Sequence, residues 1–163
     1  PKVIAGSSAG SMFAALIGIT KPEEFHKLMK PECINFSAFD NKPEELSLLR
    51  KIKRFFNEGQ LLDKKLLIQF LRDNLGDITF QQAFDRTGLI LNITVTGYDL
   101  NDGNHVLNYL TAPNVLVWSA VMASCSLPYL FGAIPLYCKN EHNEIVPYNE
   151  MGKKFVDGSL GAD

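Results

Sequence analysis

The sequence is poor in cysteine and has no surplus of either charge. Its three cysteines, Cys33, Cys125 and Cys138, form no C-x-x-C pair. That argues against a disulfide framework and a thiolate zinc site, and fits a reducing, intracellular compartment. Sixteen Lys and Arg stand against eighteen Asp and Glu, a net charge of −2. Without a broad basic face, nucleic acid is not the main partner. No internal repeat, low-complexity stretch or flexible linker interrupts the chain. No charged segment followed by an apolar one marks a signal peptide.

What remains is an ordinary globular balance: 163 residues, 46% hydrophobic and 21% charged. That length suits one domain burying roughly 70% of its unfolded surface. The chain opens at Pro1, without Met, directly in the apolar run Val3-Ile4-Ala5. The expectation is a piece of a longer protein.

Residues 115–138 carry no charge and are enough to span a bilayer if helical. Pro128, Gly132 and Pro135 break the run, and Ser119, Ser124 and Ser126 dilute it. A buried helix and loop is the better reading than a membrane span.

The elements alternate, which makes the class α/β. Residues 2–5 read as a short buried strand, 6–10 as a tight small-residue turn, and 11–19 as a helix apolar nearly all round. A short helix is expected over 23–29. A clearer one starts at Pro43 and carries Leu49, Ile52 and Phe56 on one stripe. Asp63 caps a helix closed by Gly76, and Thr79 caps one closed by Gly88. Residues 89–96 are rich in β-branched side chains and read as a strand. Asp102-Gly103 turns it toward a returning strand at 106–110. Asn114 caps a helix over 115–124. Strands over 136–139 and 144–147 flank a polar turn, and a last strand at 154–156 delivers Asp157-Gly158.

Gly6-Ser7-Ser8-Ala9-Gly10 matches G-x-S-x-G between an apolar strand and an apolar helix, the setting of a nucleophile elbow. Side chains at Gly6 and Gly10 would collide with the neighbouring strand and helix. Ser8 projects its hydroxyl at the positive end of the helix, and the Ala9 N–H can donate to an oxyanion. The structural alternative is a Gly/Ser loop capping a helix.

A serine hydroxyl needs a base to become a nucleophile. His142, with Asp99 or Asp102, would complete a triad in the usual order. His142, however, lies in the charged stretch Lys139–Glu144, and His26 and His105 also have polar neighbours. The other candidate is Asp157, at the end of an apolar strand, where a carboxylate can take the serine proton directly.

Gly6-Ser7-Ser8-Ala9-Gly10-Ser11 and Asp157-Gly158-Ser159 together resemble the two halves of a patatin-like phospholipase domain. More narrowly, residues 1–11, 118–128 and 155–160 resemble its triacylglycerol-lipase branch of fungi, plants and protists. The resemblance implies a three-layer α/β/α fold and a Ser–Asp dyad with no histidine, metal or cofactor. Carried over, Ser8 is the nucleophile, Asp157 the general base, and residues 119–128 line the acyl site. Gly6, Ala9 and Gly10 form the elbow and part of the oxyanion site. The implied substrate is a glycerolipid, triacylglycerol first. Phospholipase A, lysophospholipase or lysolipid acyltransferase activity stays open, as does an inactive lipid-binding scaffold. The implied setting is the cytoplasmic face of a lipid droplet or endoplasmic reticulum membrane.

The family's glycine-rich oxyanion loop lies upstream of the elbow, and nothing before Pro1 matches it. The domain is therefore expected to be partial over 1–163, with weak or no activity as an isolated piece, since one lost oxyanion donor costs roughly 10²–10³ in rate. Weaker signals are the basic amphipathic stretches carrying Lys51, Lys53, Arg54, Lys64, Lys65 and Arg72, which could rest on lipid or be ordinary solvated faces. The sequons at Asn35 and Asn92 read as chance. The Asp99–Gly103 segment fails as a calcium loop, since Leu110 stands where a closing Glu is needed.

Overall fold

The computed structural model describes residues 2–28, 30, 34–35, 64–97, 103–125, 135–148 and 155–157. The expected helix after Pro43, with Lys51, Lys53 and Arg54, lies outside these residues. So do Cys33, Asp63, Asp99, Asp102, residues 126–128 and residues 158–160.

Strand β1 (Val3–Gly6) runs into helix α1 (Ala9–Ile19). A 3₁₀ turn at Pro22–Glu24 leads into the short α2 (Phe25–Leu28). Helices α3 (Lys64–Leu75) and α4 (Phe80–Thr87) precede strands β2 (Ile90–Gly97) and β3 (Asn104–Leu107). Helix α5 (Val117–Ser124), the hairpin β4 (Tyr137–Lys139) and β5 (Ile145–Pro147), and β6 (Phe155–Asp157) complete the order.

Strand β2 is the centre of a four-stranded mixed sheet. It pairs with β1 in parallel and with β3 and β6 antiparallel. Helices pack on this sheet, the α/β arrangement expected for the three-layer fold. Leu91, Ile93 and Val95 alternate into the core, while Asn92, Thr94 and Thr96 are half-buried. The Gly18 backbone of α1 lies against Leu91, where a Cβ on Gly18 would meet the leucine at 3.0 Å. Helices α1 and α5 pack on β2 and on each other.

Local chemistry explains the helix limits. Thr79 accepts from the Gln82 amide, and the Gln82 side chain accepts from the Thr79 amide, a complete capping box. Gly88, at φ 68, closes the same helix in the left-handed region. On α1, Ser11, Met12, Ala14, Ala15, Leu16, Gly18 and Ile19 are buried, as its composition demands.

Three expectations shift. β1 is not a buried strand: Val3 is 51% exposed, because among the described residues β1 pairs with β2 alone. Helix α5 starts at Val117, with no side-chain cap. Val115 and Leu116 are drawn off into bridges with Cys138 and Thr79. β3 stops at Leu107, because the Asn108 side chain accepts through Oδ1 from the Leu110 and Thr111 amides and turns the chain.

Within the uncharged run at 115–138, the described residues include α5 and the start of β4. Among the described residues no helix is long and apolar enough to cross a membrane. Asn92 of the second sequon accepts from Asn108 Nδ2 at 3.0 Å inside β2, which ties its amide into the sheet. At the far end of α5, Asp77 accepts from Trp118 Nε1 at 2.9 Å and binds Arg72 through Nε and Nη2 at 3.0 and 2.6 Å. That hydrogen bond holds the Arg72 guanidinium pKa above its ordinary value.

Candidate active site

The chain leaves β1 at Gly6 and enters α1 at Ala9, so it turns over two residues. The tightness is measurable at Gly6. A Cβ there would stand 2.5 Å from the Gly10 carbonyl oxygen and 2.7 Å from Ser11 Cα. Contacts that short with backbone atoms are not tolerated, so only glycine fits. Gly10 departs from the expectation. A Cβ at Gly10 meets nothing within 4 Å, because the residue is exposed on the first turn of α1. The steric requirement rests on Gly6 alone.

Ser8 sits at φ 50, ψ −132. Such a backbone costs a non-glycine residue roughly 1–3 kcal/mol and persists only where its surroundings enforce it. It is also unlike the extended backbone of a capping serine, and the Ser8 side chain makes no cap hydrogen bond to α1. The plain helix-cap reading of this serine is thereby set aside.

The enforcement comes from α5 and from α1 itself. The Ser8 amide donates to Ser124 Oγ at 2.9 Å, and Ser124 Oγ donates to the Thr94 carbonyl at 2.7 Å. The Ser8 carbonyl accepts from the Ser11 amide at 2.9 Å, from Ser11 Oγ, and from Cys125 Sγ at 3.2 Å. Ser11 and Ser124 are fully buried and Cys125 nearly so. Ser124 and Cys125 fall within the expected acyl-site segment 119–128, and their contacts with Ser8 are not readable from the sequence. The available signal was two polar side chains in an otherwise apolar helix, since buried hydroxyls need partners. The Ala9 N–H makes no hydrogen bond among the described residues.

Asp157 ends β6, opposite Val95 of β2. The register brings two distant segments to one place. β1 ends with Gly6 opposite Ile93 on one edge of β2. β3 occupies the other edge, opposite Val95 and Thr96. β6 therefore joins β2 on the β1 edge, directly beyond the end of β1, where the Ser7–Ser8 turn leaves the sheet. The backbones of Ser8 and Asp157 thus share one corner of the sheet.

The histidines are elsewhere. His26 is exposed on α2, with Nδ1 3.0 Å from the Glu23 carbonyl. His142 is exposed in the turn between β4 and β5. His105 lies on β3, with β2 between it and the β1 edge. Among the described residues no three His, Cys, Asp or Glu side chains cluster as metal ligands would.

A strained serine turn between a strand and a helix, at the edge of a mixed sheet in an α/β domain, is the setting that a nucleophile elbow requires. The family model for patatin-like phospholipases matches residues 1–163, and the chain belongs to that family. It is 44% identical over its whole length to triacylglycerol lipase 4 of Saccharomyces cerevisiae, matching 19% of that protein. It is 37% identical to triacylglycerol lipase ptl2 of Schizosaccharomyces pombe, again over the whole chain, matching 25% of that protein. With triacylglycerol lipase SDP1L of Arabidopsis thaliana the identity is 36% over the whole chain and 21% of the relative. The chain thus spans about a fifth to a quarter of the relatives it matches.

Proposed function

We propose that this domain hydrolyses fatty-acyl esters of glycerolipids, triacylglycerol first, with Ser8 as nucleophile and Asp157 as general base. The observation that carries this reading is the β6 register, which puts the Asp157 backbone beyond the end of β1, beside the strained Ser8 turn. The names of the relatives support the substrate class.

In this mechanism the Asp157 carboxylate takes the Ser8 proton as Ser8 Oγ attacks the ester carbonyl carbon. The carbonyl oxygen becomes an oxyanion facing the Ala9 N–H. Collapse breaks the bond to the glycerol oxygen, which leaves with the proton from Asp157. A water then gives its proton to Asp157 and attacks the acyl-Ser8 ester. The fatty acid departs, and the proton returns to Ser8. Every proton moves between carboxyl, serine, water and product, so the cycle closes on these groups alone.

The domain is proposed to be part of a larger catalytic unit. Its glycine-rich oxyanion strand would pair along the edge of β1 that bears no strand among the described residues, where Val3 is exposed. The proposed working place is the cytoplasmic face of a lipid droplet or endoplasmic reticulum membrane, where the ester substrate collects.

The test is fluorophosphonate labelling and triacylglycerol hydrolysis by the full-length protein. Ser8→Ala should abolish both. Asp157→Asn, still folded, should reduce both by at least 10³-fold. Full activity in Asp157→Asn with loss in His142→Ala would replace the dyad by a triad. Release of fatty acid from phospholipid instead of triacylglycerol would move the substrate to that class, and acyl transfer to added lysolipid would identify a transferase.

A further inference from the structure

We infer that Ser124, with Cys125 beside it, is the positioning residue for the Ser8 nucleophile. The inference rests on the hydrolase reading above and names a residue outside the proposed dyad. Ser8 carries an unfavourable backbone, so something must oppose its relaxation. The N–H of Ser8 is bound to Ser124 Oγ, and its C=O takes the Cys125 thiol and both donors of Ser11. Ser124 is itself anchored, because its hydroxyl proton is committed to the Thr94 carbonyl of β2. Its oxygen is left to accept from Ser8. One buried hydroxyl therefore joins the central strand to the elbow, and the C-terminal end of α5 grips both polar groups of the Ser8 main chain.

Two consequences follow. The Ser8 amide is already bound, so it is unavailable to an oxyanion, and that duty falls to the Ala9 N–H and groups outside this turn. The position of Ser8 Oγ also depends on α5. Removing the Ser124 hydroxyl should free the Ser8 peptide to rotate, misdirecting the nucleophile while leaving substrate contacts in place. Small errors of position at a nucleophile cost large factors in rate. The loss should appear in kcat, with KM nearly unchanged.

Ser119 supplies an internal control. It is equally buried on the same helix, but its hydroxyl bonds the Leu116 and Tyr137 carbonyls and does not touch the elbow. The experiment compares Ser124→Ala and Ser119→Ala in the full-length protein. It reads fluorophosphonate labelling of Ser8, the kcat and KM of ester hydrolysis, and hydrogen exchange at the Ser8 amide. Ser124→Ala is expected to slow labelling and kcat by about 10–100-fold, to keep KM within about twofold, and to speed Ser8 exchange about tenfold or more. Ser119→Ala should leave Ser8 exchange unchanged. Wild-type exchange and labelling in Ser124→Ala would overturn the inference, as would the same change of Ser8 exchange in Ser119→Ala. If the unmodified protein takes no label, the hydrolase reading fails and the exchange measurement alone decides the positioning role. Should Ser124→Ala not fold, Ser124→Cys, close in size but a weak hydrogen-bonding group, is read by the same criteria.

Discussion

Gly6 and Gly10 face each other across the elbow so closely that a methyl group on Gly6 would lie 2.5 Å from the Gly10 carbonyl oxygen. The relation is one-sided, since a methyl group on Gly10 meets nothing within 4 Å. Gly6→Ala must open the turn, and about 3 kcal/mol of stability should be lost, at the upper end of the overpacking range. Gly10→Ala fills empty space on a helix and removes a flexible residue, so it should be neutral or stabilise by up to about 1 kcal/mol. Denaturant unfolding of the two variants checks this, and equal losses would refute the asymmetry.

Strain at Ser8 leads to a second expectation. Glycine adopts φ 50 without the Cβ penalty that serine and alanine carry. Ser8→Gly should therefore be more stable than Ser8→Ala by about 1 kcal/mol, while both lose ester hydrolysis completely. Comparing their unfolding midpoints isolates the backbone cost from the loss of the hydroxyl. Equal midpoints would mean that the turn relaxes when the serine is removed.

Asp77 ties α3 to α5 by accepting from Trp118 Nε1 and from Arg72. Trp118 is 4% exposed, so its indole N–H has little access to water. Asp77→Ala leaves that donor unpaired and should cost about 2–3 kcal/mol. Asp77→Asn retains an acceptor for the indole and should cost about half as much. The partly exposed Arg72–Asp77 ion pair contributes little of either loss. Urea unfolding of the pair of variants measures the difference.

Most local structure was legible because local chemistry decides it. Thr79 and Gly88 announce the ends of α4 through a side-chain cap and a left-handed backbone, and both do what those residues do best. Polar residues 140–144 turn β4 back on β5 for the same reason. The errors fall where distant segments compete. Asn114 is a sound cap in isolation, yet the Leu116 amide bonds the Tyr137 carbonyl and the Val117 amide bonds the Ile78 carbonyl, so the helix starts later. The elbow was legible from Gly6 and Ser8 and the elements around them. The grip of Ser124 and Cys125 was hidden, because nothing in residues 118–125 says which carbonyl or amide a buried hydroxyl will find.

β6 docks on β2 beyond the end of β1, and this has a temporal consequence. The contacts that hold Ser8 are complete once Ser124 and Cys125 are in place, but the strand bearing the proposed base comes later, at residues 155–157. Docking β6 on β2 joins segments about 60 residues apart in sequence, a non-local closure that local chemistry does not drive. A chain still emerging during synthesis, or one cut before residue 155, would hold a shaped serine without the base proposed for it. The pair proposed above comes into being only when β6 docks, so the catalytic arrangement proposed for this domain is withheld until that strand joins the sheet.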